Sequence, residues 1–146
     1  MNTIDGWTLI RFTHIIGAAL WVGGQLALSL VVLPLARRVL AADARTAFVE
    51  RAGRRFGLLT AAVFLPLQLA TGVGLAWHHG VTWASLLEPG YGRTLAVKLL
   101  LFCAVMAAAA LHGVAHARGR AVLARSLAMA SLVGSLGVVL LASALG

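Results

Sequence analysis

The chain has 146 residues, of which 61% are hydrophobic and 11% are charged, and its mean hydropathy is +0.96. This composition excludes an ordinary soluble domain and indicates a small protein with several membrane-spanning segments. The formal net charge is +8, but the arginines lie in short runs between long apolar segments, so we interpret them as topology signals and expect no nucleic-acid partner.

Four apolar segments are long enough to cross about 30 Å of hydrocarbon as helices that rise about 1.5 Å per residue. They lie near residues 7–35, 56–77, 94–116 and 127–145. The predicted fold class is therefore all-α: an integral membrane antiparallel four-helix bundle that forms a single domain over residues 1–146. The first segment begins after Asp5 and is too long for the apolar region of a signal peptide, so we expect it to be a retained span.

Arginines are concentrated in two of the three connections. Residues 37–55 contain six arginines and residues 117–126 contain three. Because cytoplasmic loops are enriched in Lys and Arg, both connections are predicted to be cytoplasmic, and in a bacterium this places both termini in the periplasm. Within the first connection, residues 40–50 are expected to form a short helix on the membrane surface, with arginines near lipid headgroups.

The first span contains an ionisable residue, His14, in an otherwise apolar helix. Helical steps of three, four and seven residues place Gly17, Trp21 and Gly24 on the same stripe as His14. Glycines on a stripe allow a neighbouring helix or a ligand to approach closely. An ionisable side chain in a membrane is costly unless it has a function, so we predict that His14 binds a ligand with Trp21 nearby. The alternative is that the ring only bonds a neighbouring carbonyl.

The second span carries a polar, closely packing face in its outer half, made of Gln68, Thr71, Gly72 and Gly74. It ends in the paired histidines His78 and His79 at the outer interface. Paired histidines at an interface are either solvated or metal ligands, and the sequence leaves both interpretations open.

The third span places Lys98, His112 and His116 on roughly one side, because fourteen residues make about four turns and four more make about one. Cys103 is rotated by about 140° from Lys98 and is predicted to point elsewhere. Lys98 matches His14 in depth, and His78 and His79 close the same end of the bundle. These four residues are therefore predicted to form one outer site built from three helices. His112 and His116 lie about 20 Å deeper, near the cytoplasmic arginines. Lys98 is interpreted as an iron ligand, as a partner of an anion, or as a side chain that extends to the interface.

The ligand classes follow from the donor types. Imidazole binds copper, zinc and iron, whereas the single cysteine and the isolated methionines exclude a sulfur cluster. Two imidazoles, or an imidazole and an amine, also suit haem iron in a four-helix bundle. A copper ion and haem b therefore remain as alternatives. The candidate metal ligands are His14, His78, His79, His112 and His116.

Three runs of residues carry a resemblance to a known family. They are Arg11-Phe12-Thr13-His14 with Gly17, Trp21, Gly23 and Gly24; Arg55-Phe56 leading to Ala70-Thr71-Gly72; and Gly90-Tyr91-Gly92-Arg93-Thr94-Leu95-Ala96-Val97-Lys98-Leu99. Together they resemble the membrane domain of the copper resistance protein D (CopD) family, and the first run is also similar to the HemJ-type protoporphyrinogen oxidases, four-helix proteins that bind haem b.

The CopD resemblance implies copper handling at the bacterial inner membrane. The HemJ resemblance implies that His14 is a haem ligand and that Lys98 is functionally required. The chain departs from both patterns in its third span. His112 stands where an asparagine is common in CopD proteins, and residues 111–116 lack the tyrosine and cysteine expected around the HemJ histidine.

Three functions are therefore predicted as alternatives. In the first, His14 with His78 or His79 takes copper from a periplasmic copper-binding protein, and His112 and His116 receive or release it at the cytoplasmic side. In the second, the chain is a haem b protein that carries electrons to a redox partner or oxidises a porphyrinogen. In the third, it is an accessory membrane subunit without chemistry. The small-residue faces of the first and fourth spans suit packing within the chain or a homodimer equally well.

Overall fold

The structure, a computed structural model, describes residues 4–145. Four long helices are numbered α1 (Gly6–Val39), α2 (Ala42–His78), α3 (Tyr91–Ala117) and α4 (Ala121–Ser143). Each is long and apolar enough to cross a membrane, and the described residues contain no strand. A short 3₁₀ turn, Ser85–Leu87, precedes α3. The predicted fold class, an all-α membrane protein of four helices, is confirmed, and the chain is a multi-pass membrane protein.

The chain divides into two compact units at the Gly80–Val81 bond. Unit 1 contains α1 and α2, and unit 2 contains α3 and α4. The two helices within each unit are antiparallel neighbours, as expected for helices joined by a short connection.

The connection in unit 1 is shorter than the sequence predicts. α1 ends at Val39 and α2 begins at Ala42, with Leu40 extended at φ −99° and ψ 138°. Residues 42–50, which were expected to belong to a separate surface helix, are instead the start of α2, because no proline interrupts the helix before Pro66. The 37 residues of α2 measure about 55 Å at the α-helical rise, so the arginine-bearing start of α2 exceeds what hydrocarbon can cover.

Both helices of unit 1 contain a π-helical stretch just before a proline. Leu28–Val32 precedes Pro34 in α1, and Thr60–Phe64 precedes Pro66 in α2. Proline has no N–H and its ring crowds the carbonyl four residues earlier, so the hydrogen-bond ladder widens there. Both helices continue through the proline.

The connection in unit 2 is a tight turn. α3 ends in a Schellman motif, in which the N–H of Arg120 donates to the carbonyl of Ala115 (2.9 Å) and the N–H of Gly119 donates to the carbonyl of His116 (3.0 Å). Gly119 adopts φ +69°, the left-handed conformation that this motif requires. The turn therefore fixes the backbone of the two arginines on either side of Gly119.

Candidate metal centre

The candidate centre lies on one seam of unit 1, where α1 and α2 pack in register. Four contacts follow one another along it: Trp7 with His78, His14 with Thr71, Gly17 with Gln68, and Trp21 with Phe64. The steps along α1 are seven, three and four residues, and the steps along α2 are the same in reverse order of numbering. These are the steps that return to one face of a helix, so one stripe of each helix forms the whole seam.

His14 is held by Thr71. The Nδ1 atom of His14 lies 2.7 Å from the Thr71 hydroxyl, and that hydroxyl donates its proton to the carbonyl of Leu67 at 2.6 Å. A hydroxyl has one proton, so His14 Nδ1 must be the donor in the first bond. The neutral ring is therefore the Nδ1–H tautomer, in which Nε2 carries the lone pair that binds metals.

Two glycines bring α1 and α2 close together around His14. A Cβ atom on Gly72 would lie 3.2 Å from Cε1 of the His14 ring, and one on Gly17 would lie 2.5 Å from Nε2 of Gln68. Gln68 is buried and donates from Nε2 to the backbone carbonyl of His14 at 2.8 Å. The ring and the backbone of His14 are thus both positioned by residues of α2.

Trp21 packs two turns further along the same stripe. Its ring stacks on Phe64 with centroids 4.7 Å apart and an interplanar angle of 11°. Trp21 is only 6% exposed, and its Nε1–H has no acceptor among the described residues. A buried N–H without an acceptor is costly, so it marks Trp21 as a side chain that suits contact with a polar group of a ligand.

His78 and His79 lie at the other end of the seam. The His78 ring stacks on Trp7 with centroids 4.1 Å apart, and His79 meets it edge-on at 5.7 Å. Both histidines are exposed. Seven residues, or about 10 Å of helix, separate their position from that of His14, so in this arrangement they do not share an ion with His14.

The remaining candidates belong to unit 2. His112 donates from Nδ1 to the carbonyl of Ala124 at 2.8 Å, which fixes the Nδ1–H tautomer because a carbonyl only accepts. His116 is exposed, with its ring centroid 6.3 Å from that of His112. Lys98 is half-buried and Cys103 is exposed, so Cys103 points away from the face that α4 covers.

The number and type of ligating side chains determine whether the site suits a copper ion or haem iron. Within residues 4–145, no three His, Cys, Asp or Glu side chains gather as a metal cluster. A copper ion held permanently by protein ligands alone needs several such donors, and the described residues do not fit that arrangement. Haem iron receives four ligands from its porphyrin and needs only one or two axial side chains, so one oriented imidazole fits it. A metal ion carried as cargo also needs only brief contact with one or two histidines.

The sequence predicts the polar face of α2 that contains Gln68 and Thr71, but it does not show that this face meets His14. Thr71 and Gln68 are the residues that hold His14, and Phe64 is the residue that holds Trp21. The signal that could have found them is the shared spacing, because Thr71, Gln68 and Phe64 follow the steps of three and four residues that His14, Gly17 and Trp21 also follow.

No family model, curated protein or solved structure matches the chain.

Proposed function

We propose that this protein handles a redox metal in the bacterial inner membrane, with Nε2 of His14 as the ligand atom. The observation that carries the proposal is the hydrogen bond from His14 Nδ1 to Thr71. Histidines that bind metals almost always donate their other ring N–H to an acceptor, which fixes the tautomer and the ring orientation. Thr71 supplies that acceptor inside an apolar segment, where an ionisable residue is retained for a function.

The first form of the proposal is copper handling, with copper as the cargo. His78 and His79 are exposed at one end of the seam and accept the ion, and His14 receives it about 10 Å further along the helices. His112 and His116, one turn apart on α3, release it at the cytoplasmic side. The resemblance of the first and third spans to CopD proteins supports this form.

The second form is haem b binding, and the donor number favours it. A single imidazole with a fixed tautomer is enough for one axial position, and His14 is such a group. Trp21 lies on the same stripe with an N–H that can bond a polar group, and the HemJ resemblance implies that Lys98 is functionally required. Haem supplies one-electron redox chemistry when bound; His14 would hold and orient it, and the apolar seam would exclude water.

Purification in detergent followed by an absorption spectrum and metal analysis tests the proposal. Copper in a fixed ratio to protein, without a Soret band, supports the first form, and a Soret band supports the second. We expect His14→Gln to lose the ligand, His78→Ala and His79→Ala to retain most of it, and Lys98→Ala to be intermediate. A wild-type protein with neither ligand would refute the proposal and leave an accessory subunit. Loss of the ligand in His112→Ala but not in His14→Gln would move the site to unit 2.

A further inference from the structure

Outside the His14 site, unit 2 contains a groove of about 180 Å³ at the turn between α3 and α4. Its walls include Leu111 and Val114 of α3 and Leu123 and Leu127 of α4. Arg118 and Arg120 also line it, and they lie in the turn itself. The groove therefore runs from a basic end at the turn to an apolar end on the membrane-spanning helices.

The positive charge at the turn has no acidic counterpart nearby in the sequence. Residues 111–127 contain Arg118, Arg120 and Arg125 but no Asp or Glu. The apolar walls are also open, since Leu111 is 54% exposed and Leu123 is 44% exposed. A groove of this kind is complementary to a molecule with an anionic head and a hydrocarbon chain.

We propose that this groove binds an anionic phospholipid, with the phosphate between Arg118 and Arg120 and the start of an acyl chain against the leucines. Arginine presents a planar fork of N–H donors that matches phosphate oxygens. Liquid water takes about 30 Å³ per molecule, so 180 Å³ gives room for a phosphodiester group and the first carbons of a chain. The Schellman turn at Gly119 holds the backbone of both arginines in place before the lipid arrives. Basic pockets between membrane helices are a recognised type of lipid headgroup site.

Arg125 provides a matched control. It is exposed on α4 and carries the same charge, but it does not line the groove. Five residues separate it from Arg120, which rotates its side chain by about 140° around the helix. General attraction between a basic protein and anionic lipid depends on Arg125 as much as on the other two, whereas a site in the groove does not.

The experiment is native mass spectrometry of the delipidated full chain in detergent, titrated with phosphatidylglycerol, with phosphatidylcholine of the same acyl chains, or with inorganic phosphate. We expect phosphatidylglycerol to bind in preference to phosphatidylcholine, and phosphate alone not to compete. Arg118→Gln and Arg120→Gln should each weaken phosphatidylglycerol binding by about fivefold, as expected for one basic residue near a lipid surface, and Arg125→Gln by less than about twofold.

Three results would overturn the proposal. They are equal binding of the two lipids, an equal loss in Arg125→Gln, and displacement of the lipid by phosphate, which would make the groove a site for the free anion. The melting temperature of each variant in detergent is measured alongside. Leu123→Ala, which leaves both arginines in place, should also weaken phosphatidylglycerol binding. The site does not involve His14, so its failure and the failure of the metal proposal are separate outcomes.

Discussion

Thr71 fixes the tautomer of His14 because its hydroxyl has only one proton to donate. The hydroxyl already donates to the carbonyl of Leu67, so it can only accept from the histidine ring. Without the hydroxyl, Nδ1 would lose its acceptor, and neither the tautomer nor the rotation of the ring would be fixed. The role assigned to Thr71 is thus to orient the His14 ring, and not to bind the metal itself.

The Thr71→Val variant should lower the affinity for copper or haem by about 10- to 100-fold, the usual cost of removing a partner of a ligating histidine. Titration of the metal-free protein, followed by absorption or metal content, measures this. Thr60→Val is the matched control, since Thr60 also lies on α2 and its hydroxyl bonds only its own helix at the carbonyl of Phe56 (2.9 Å). Equal affinities of the two variants would contradict the positioning role.

Gly17 is a residue at which one added methyl group should break the seam. Its Cβ would lie 2.5 Å from Nε2 of Gln68, and Gln68 cannot move aside without losing its bond to the His14 carbonyl. We expect Gly17→Ala to destabilise the protein by about 1–3 kcal/mol, the usual cost of overpacking. Denaturant unfolding in micelles measures this. Gly23→Ala, with nothing within 4 Å of the added atom, should not destabilise it.

At the scale of the element, the start of α1 depends on Asp5. Its carboxylate accepts from the backbone N–H of Thr8 at 2.8 Å and from the Thr8 hydroxyl at 2.7 Å, which makes Asp5 the N-cap. These two bonds, with a smaller contribution from the charge of His78, hold the pKa of the Asp5 carboxyl below its ordinary value.

Because the pKa of Asp5 is lower in the folded state, its stabilising effect is present above the unfolded pKa of about 3.9 and is lost as pH falls through the folded value. Asparagine caps helices about as well as aspartate and does not titrate. We therefore expect Asp5→Asn to match the wild type near neutral pH and to become the more stable of the two below about pH 4. Melting temperatures of both proteins from pH 7 to pH 2.5 test this, and curves that stay parallel would contradict it.

Pro34 and Pro66 each follow a π-helical stretch, and the two stretches lie at different positions along their helices. Leu33 donates to the carbonyl of Leu28, and Leu65 donates to that of Thr60, each five residues back. In α2 this wider turn ends at Phe64, the residue that stacks on Trp21. Widening a turn rotates the residues that follow it, so the π-helical stretch sets which residues of α2 after Pro66 face α1.

At the scale of the whole molecule, the arginines predict how the chain is inserted. The nine arginines of residues 37–55 and 117–126 should be cytoplasmic, because positive residues are retained on that side. The start of α2 would then extend from the membrane into the cytoplasm, since 37 residues exceed the length that crosses the hydrocarbon.

Cysteine labelling in a Cys103→Ala background tests this orientation. An impermeant maleimide applied to intact spheroplasts should label Trp83→Cys, and it should label Ala44→Cys only after the membrane is permeabilised. Both positions are exposed, so access to the reagent depends on the side of the membrane. The opposite labelling pattern would show that the topology is inverted. The copper proposal would then have the ion released at the periplasmic side.

The sequence by itself determined the four helices, the polar positions within them and the prominence of His14. These are local properties, because the length of an apolar segment and the 3.6-residue period are read from consecutive residues. The early start of α2 is a local property as well, since Ala42–Leu59 contains no proline.

Only the tertiary structure decided which residues meet. His14 and Thr71 are 57 residues apart, and His112 bonds a backbone carbonyl of the next helix. Apolar stripes of two helices can slide past each other by one turn with little change in composition at the interface, so the pattern of neither helix fixes the register. The close approach at Gly17 and the bond from Gln68 to the His14 carbonyl select one register of α1 against α2, and that selection is what orients the imidazole.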